Sequence, residues 1–132
     1  MEIKKYTKYD EDAVMRLIEA EGEEWTYTAA DVAPVYRRAL GNSVTCVAYV
    51  GDVLCGYARA VDDNGLFIYV CDLLVSPHYR GNNIGRALME HIRADYPAHT
   101  TYVMSDVDEY YQKQGFPHEG SVFKIVPQTE EV

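Results

Sequence analysis

Between Asp72 and Glu90 the chain reads Asp-Leu-Leu-Val-Ser-Pro-His-Tyr-Arg-Gly-Asn-Asn-Ile-Gly-Arg-Ala-Leu-Met-Glu. An apolar strand feeds a turn of glycine and asparagine that opens at once into an amphipathic helix. That order of residue types suits a phosphate group. The first amides of a helix have no internal acceptor, and the aligned peptide dipoles leave partial positive charge there, so a pyrophosphate is favoured at this end. Gly81 and Gly85 admit a ligand close to the backbone where a Cβ would block it. Arg80 and Arg86 add positive charge on the two sides of the turn. Two other phosphate chemistries fit less well. No Lys-Ser/Thr pair follows the turn, as a nucleotide-hydrolysing loop requires. The three glycines of a dinucleotide fingerprint are also missing.

These residues resemble the signature of the GNAT superfamily of N-acetyltransferases, Gln/Arg-x-x-Gly-x-Gly/Ala after a strand ending in aliphatic-x-Pro. Arg80-Gly81-Asn82-Asn83-Ile84-Gly85 follows Val75-Ser76-Pro77. Asn83 stands where the family has its first glycine, and asparagine is the residue after glycine that best tolerates left-handed backbone angles. A second stretch, Tyr110-Tyr111-Gln112-Lys113-Gln114-Gly115-Phe116, is similar to the family's Tyr-x-x-x-Gly-Phe segment, with Tyr111 at the matching tyrosine. The two motifs in this order are far more specific than either alone, and the resemblance spans residues 43–116.

The resemblance implies acetyl-CoA as acyl donor. Its pantetheine arm would lie in a gap between the fourth and fifth strands, along Leu73, Leu74 and Val75. Its pyrophosphate would sit on Arg80, Gly81, Asn82, Asn83, Ile84, Gly85 and Arg86. A neutral amine would attack the thioester directly, with no covalent enzyme intermediate, so the enzyme positions the reactants, accepts a proton and stabilises the oxyanion. Tyr111 is the expected partner of the departing sulfur. Reference pKa values of about 10 for tyrosine and about 8.5 for a thiol make full proton transfer uphill by roughly 2 kcal/mol, so a hydrogen bond to sulfur is the safer role. Packing against Val107 is the competing explanation for this tyrosine.

Asp72 is the candidate base, because it is a lone carboxylate in an otherwise apolar strand and burial raises a carboxylate's pKa. A structural hydrogen bond to a loop explains it equally well. Glu23, Glu24, Asp106 or a chain of waters are the alternatives. Glu23-Glu24-Trp25-Thr26-Tyr27 falls between the first two helices, where the family builds its acceptor pocket. Glu24, Trp25 and Tyr27 would hold an ammonium group by Coulomb attraction and cation–π contact, or Trp25 would staple the helices.

The elements that must position these groups follow from periodicity and punctuation. Strands are expected over Ile3–Tyr6, Val44–Val50, Val53–Val61, Leu66–Val75 and Thr100–Met104, the second and third joined by Gly51-Asp52 as a tight hairpin. A helix between the fourth and fifth makes that pair parallel. Helices are expected over residues 10–21, with Val14, Leu17 and Ile18 on one face, and 29–40, with Val32, Val35, Tyr36, Ala39 and Leu40 as a buried stripe capped by Thr28 and stopped by Gly41. Pro34 moves that second start towards Val32. The helix over 83–95 buries Ile84, Ala87, Leu88 and Ile92. Ser105 and Asp108 have the spacing of a capping box before a short helix that carries Tyr111. Val122–Val126 adds a last strand where the family has two, which implies an exposed edge, a shortened hairpin or a strand shared with another protomer. The expected class is therefore α+β, a mixed and mostly antiparallel sheet of about six strands flanked by helices, with a parallel pair around the cofactor cleft.

Composition sets the frame. The chain's 132 residues form one expected domain, 1–132, with 48% hydrophobic and 25% charged residues, ordinary for a globular protein. No apolar run approaches the roughly 20 residues that cross a bilayer, and the start lacks a secretory core, so a cytoplasmic protein is expected. Net charge of −9 disfavours nucleic acid and anionic membranes and suits a cationic substrate such as a small-molecule or peptide amine. Cys46, Cys55 and Cys71 lack paired metal spacing and read as buried thiols, and the histidines are scattered, so no metal site is expected. A homodimer is expected from the family. An acyl-CoA sensor without turnover is the alternative to an enzyme, motivated by Asn83 and the shortened tail.

Overall fold

The structure, a computed structural model, describes residues 1–128. Its strands are β1 (Glu2–Lys5), β2 (Val44–Val50), β3 (Val53–Asp62), β4 (Phe67–Val75) and β5 (Thr100–Val103), and its helices are α1 (Glu11–Glu21), α2 (Ala33–Asn42), α3 (Ile84–Asp95) and α4 (Asp108–Lys113). The five strands lie side by side in chain order, antiparallel except for the parallel pair β4–β5. The hairpin turns at Gly51 with φ +59°, a conformation glycine reaches without Cβ strain.

Alternation along the strands builds a core on each face of the sheet. Ile84, Leu88 and Ile92 of α3 cover Cys46, Ala48, Ala58, Ala60, Ile68 and Val70. On the other face Val14, Met15 and Ile18 of α1 and Tyr36 and Leu40 of α2 cover Val47, Tyr57 and Leu74. The α3 face is lined by small residues, which lets the helix approach closely. At Gly56 a Cβ would stand 3.1 Å from the Leu74 carbonyl oxygen and 3.3 Å from Leu88 Cδ1.

Two irregularities in β4 shape everything downstream. First, the register pairs Arg59 with Asp72 but Ala60 with Val70, so Cys71 is an extra residue with no opposite number, a β-bulge. Buried and half-buried residues still alternate along β4, but the face they bury changes: Ile68 and Val70 lie under α3, whereas Leu74 packs with α1 and α2. Second, the β4–β5 ladder stops at Val70 opposite Val103, with a final bond from the Met104 N–H to the Val70 carbonyl at 2.9 Å. Beyond that point β4 continues for five residues with no strand among the described residues on its β5 side.

Several sequence expectations need correction. Among the described residues the sheet has five strands rather than about six, because Val122–Val126 takes no strand conformation; β-propensity alone forms no strand without a ladder partner. Helix α2 starts at Ala33, not residue 29, since Pro34 is accepted only in the first turn. Thr28 therefore belongs to a separate 3-10 turn over Thr26–Thr28, Gly41 lies inside the helix, and Val35 is 56% exposed rather than part of the stripe. Ser105 Oγ bonds the Asp108 carboxylate at 2.7 Å and the helix cap is Val107, so no capping box forms there.

Replacing Gly56 with alanine should force either β4 or Leu88 to move. We expect a loss of about 1–3 kcal/mol in urea unfolding, the usual effect of overpacking a tight core; an unchanged midpoint would contradict the close approach of α3.

Candidate active site

The turn before α3 is built to present backbone. Gly81 has φ +85° and Asn83 φ 59°, ψ 21°, so Asn83 takes the left-handed geometry that the family's glycine would supply. Asn82 Nδ2 closes the turn on the Tyr79 carbonyl at 3.1 Å. The amides of Ile84, Gly85 and Arg86 at the start of α3 have no intrahelical acceptor, the first such bond running from the Ala87 N–H to the Asn83 carbonyl at 3.0 Å. Ile84 itself is 4% exposed, which anchors the helix mouth in the core.

The two arginines expected at the phosphate are engaged elsewhere. Arg80 donates through Nε to the Val75 carbonyl at 2.9 Å and through Nη2 to both Glu21 carboxylate oxygens at 2.8 and 3.0 Å. Arg86 donates to the Gln114 carbonyl at 2.8 Å and stacks over the Phe116 ring at 4.7 Å. Each guanidinium clamps a neighbouring element to the turn: Arg80 holds the end of α1, Arg86 the end of α4. Glu21 and Gln114 were not legible as partners, because they lie 59 and 28 residues away in sequence.

In the gap beyond the β4–β5 ladder, the Ser76 N–H donates to the Cys55 carbonyl at 2.8 Å. Alternation then turns the N–H and C=O of Leu73 and Val75 away from β3 and towards the gap, while Leu74 bonds the sheet. The Leu74 side chain is 4% exposed and packs with α1 and α2. The Leu73 and Val75 side chains pack on the α3 core.

The far wall is α4. Tyr110, which sequence reasoning passed over, sets its distance: a Cβ on Gly85 would meet Tyr110 Oη at 2.7 Å and Leu73 Cδ2 at 3.5 Å. Tyr111 stands edge-on to Tyr110, with ring centroids 5.0 Å apart. Burial, reinforced by Tyr110 and by the charge of Asp106, pushes its phenol up to about 12. No side-chain hydrogen bond among the described residues involves its hydroxyl, so the phenol has no protein acceptor there. The upward shift makes complete proton transfer to a thiolate harder still.

Asp72 occupies a different setting. Displaced by the bulge onto the α2 side and 6% exposed, it accepts from Tyr27 Oη at 2.7 Å, Tyr36 Oη at 2.8 Å and Arg59 Nε at 2.7 Å. Tyr36 and Tyr57 share a further hydroxyl bond of 2.7 Å. Three donors take three of the roughly four acceptor positions on the two oxygens, so the carboxylate is a structural hub. Burial would lower the Arg59 pKa, but the hydrogen bond and charge of Asp72 outweigh it and the net shift is upward. Arg59 was open to sequence reasoning: it is a lone cation in the strand that pairs with β4.

Between the helices, Tyr27 stacks on Tyr36 with centroids 3.9 Å apart, and Trp25 meets Tyr27 edge-on at 6.0 Å. Both rings are half-buried against the α1–α2 core, whereas Glu24 is exposed. The stacked rings therefore lock the loop, and the Tyr27 hydroxyl faces Asp72 rather than open space. Among the described residues no cluster of three metal-ligating side chains exists, and no helix is long and apolar enough to cross a membrane.

The phenol network fixes an alkaline limit. Burial, then the hydrogen bond to Asp72, raises Tyr27 to about 12, and burial raises Tyr36 and Tyr57 further. A raised phenol stays neutral in the fold where the unfolded chain ionises it, so its contribution is complete below about pH 10 and disappears as pH climbs towards the folded value. We expect unfolding free energy to fall between pH 10 and 12 by up to about 1.4 kcal/mol per pH unit per phenol. Tyr27→Phe should flatten that slope, measured by urea unfolding against pH; an unchanged slope would contradict the network. Asp72→Ala, which strands Arg59 in a buried position, should destabilise by about 3 kcal/mol, well beyond Tyr27→Phe at about 1 kcal/mol.

Known proteins share this fold. A family model described as an acetyltransferase (GNAT) domain matches residues 41–118. A GNAT-family acetyltransferase from Streptococcus pneumoniae superposes with a TM-score of 0.76 at 24% identity, over 96% of this chain and 98% of that one. An acetyltransferase from Trypanosoma brucei does so with a TM-score of 0.64 at 20% identity, over 96% and 99%. At such identities these structures speak to the fold. Among curated relatives, an uncharacterised N-acetyltransferase of Porphyra purpurea is 31% identical over 48% of this chain and 39% of its own length. A histone acetyltransferase of Glycine max is 35% identical over 48% of this chain and 29% of its own. The chain thus spans about half the length or less of the curated relatives it matches. Because the matched region takes in more than half of the sequence, from the hairpin through the α3 turn to the helix of Tyr111, the chain belongs to the GNAT acetyltransferase family.

Proposed function

We propose that this domain transfers an acetyl group from acetyl-CoA to a primary amine by direct attack in a ternary complex. The observation that carries the reading is the parting of β4 and β5. It leaves the Leu73 and Val75 amides facing a gap whose mouth is the open amide end of α3. The residues fit a coenzyme: Asn83 takes the left-handed angle a phosphate-cradling turn needs, and the space a Cβ would fill at Gly81 is open, whereas at Gly85 it is taken by Tyr110 Oη. When bound, the coenzyme supplies an activated thioester. The Leu73, Leu74 and Val75 backbone would align its arm, and the residues from Arg80 to Arg86 its phosphates. The attraction comes from backbone amides, while Arg80 and Arg86 brace the turn.

Charge that develops on the carbonyl oxygen would be met by a β4 amide. Tyr111, neutral over the physiological range, would donate a hydrogen bond to the leaving sulfur. Asp72 holds Tyr27 and Tyr36 in place as a positioning residue, and water carries the amine proton away. Trp25, Tyr27 and Glu24 border the acceptor side, where an acidic chain attracts a cation. The acceptor class is an amine of a small molecule, a peptide N-terminus or a lysine. Three free thiols suit a reducing compartment such as the cytoplasm.

The test is thiol release from acetyl-CoA with a panel of a polyamine, an amino sugar and peptides bearing a lysine or a free N-terminus. Turnover with at least one is expected. Tyr111→Phe should lower kcat by about 10–100-fold, the worth of a hydrogen bond to a charged group, with coenzyme A affinity unchanged. Binding of coenzyme A without turnover of any amine would replace the enzyme with an acyl-CoA sensor. Asn83→Gly should keep coenzyme A affinity and Asn83→Val should lower it at least ~10-fold, since a β-branched residue resists a positive φ; equal affinities in calorimetry would contradict the role of that turn.

A further inference from the structure

Three aromatic side chains on the sheet belong to neither core. Ile68 and Val70 of β4 and Val103 of β5 pack on the α3 side, so the residues that alternate with them, Phe67, Tyr69 and Tyr102, stand on the opposite face. On that face α1 and α2 cover Val47, Tyr57 and Leu74, and none of the three rings packs with them. The rings are half-buried and form a triangle, with centroids 6.0 Å apart for Phe67 and Tyr69, 5.6 Å for Phe67 and Tyr102 and 5.7 Å for Tyr69 and Tyr102.

The triangle lies beside the gap. Tyr69 pairs with Tyr102 one step before the β4–β5 ladder ends at Val70 and Val103. Asp72, two residues beyond that end, faces the same side and holds Tyr27. This is the face opposite α3 and its open amides, and the one on which Trp25 and Tyr27 border the acceptor. From Tyr69 to Asp72 is three residues, roughly 7–10 Å at about 3.3 Å each.

Ring faces carry negative potential, which attracts a cation within about 6 Å of a centroid. A cation over the triangle would meet all three rings at once. A flat ligand would not, because Phe67 is tilted by 49° and 48° to the other two. The surroundings also favour positive charge. Asp62 and Asp63 form the turn before Phe67, Asp106 follows β5, and Arg59, the cation on this face, is already paired with Asp72 at 2.7 Å.

Resting on the acetyltransferase reading, we propose that Phe67, Tyr69 and Tyr102 hold a second, protonated nitrogen of the acceptor, so that the acceptor class is a linear diamine or polyamine. One nitrogen, neutral, forms the new N–C bond as the C–S bond breaks; its proton passes to water and coenzyme A leaves as the thiolate. The other stays charged over the rings, since an alkyl amine such as that of lysine titrates at about 10.4.

Ring NMR signals and steady-state kinetics on the full chain test this together. 1,6-Diaminohexane should shift the Phe67, Tyr69 and Tyr102 ring resonances at concentrations at least ~10-fold lower than n-hexylamine, which matches its length without the second charge. As an acceptor it should exceed n-hexylamine in kcat/KM by at least ~10-fold, through KM. Tyr102→Phe, which keeps the ring, should retain that advantage, and Tyr102→Leu should cut it at least ~3-fold with coenzyme A affinity unchanged. Turnover without preference for the diamine overturns the proposal and leaves the acetyltransferase reading intact, as does turnover confined to peptides. A preference that survives in both Tyr102→Leu and Tyr69→Leu also overturns it, since another site would then hold the charge. Absence of turnover with every amine is instead the failure of the acetyltransferase reading, and the ring signals alone then decide whether the triangle binds a diamine. The wild-type ratio and ring signals settle the matter even where a leucine variant fails to fold.

Discussion

The structure turns on one extra residue in one strand. Cys71 has no opposite number on β3, and the bulge it makes rotates the rest of β4 by one place. Before it, β4 buries Ile68 and Val70 beneath α3; after it, Leu73 and Val75 take the α3 side, and Asp72 and Leu74 pass to α1 and α2. Bulges increase local twist and disrupt pairing, and here the parallel ladder to β5 ends at the residue before the bulge. A regular β4 would close the gap, send Asp72 beneath α3 without its phenols, and leave Arg59 unpaired. The free amides, the aromatic loop and the buried ion pair are consequences of the same register step.

Charge is distributed in keeping with that arrangement. The strongest local electrostatic feature, Asp72 with Arg59, is 5% and 15% exposed at its side chains and is wrapped by phenols, so removing either partner would leave an uncompensated buried charge. The arginines nearest the α3 turn are spent on clamping α1 and α4. In the proposed reading, anion affinity at that turn would rest on backbone dipoles, which sit within the fold and need no side-chain ordering on binding. Tyr111 is the complement: a hydroxyl kept neutral by burial, edge-on to Tyr110, which in turn fixes the spacing of α4 from Gly85.

Much of this was legible in the sequence, for local reasons. The Gly51 hairpin, the parallel β4–β5 pair, the α3 turn and the left-handed tolerance of Asn83 all follow from residue types within a few positions of one another. What escaped was non-local. The bulge at Cys71 is invisible because burial continues to alternate through it, so a strict period-2 reading assigns the wrong face to every residue that follows. Asp72 looked solitary because its partners lie 13, 36 and 45 residues away. Arg80 and Arg86 looked free for the same reason. Val122–Val126 has the composition of a strand, but a strand is a relation between two segments, and composition reports only one of them.

The central claim is that β4 offers unpaired amides to a ligand where it leaves β5. Residue-resolved amide exchange of the folded chain, with and without coenzyme A, tests it most directly. The account predicts that the Leu73 and Val75 amides exchange readily in the free protein and become protected on addition of the coenzyme, together with those of Ile84, Gly85 and Arg86. Protection of Leu73 and Val75 already present without ligand, or their indifference to saturating coenzyme, would contradict it.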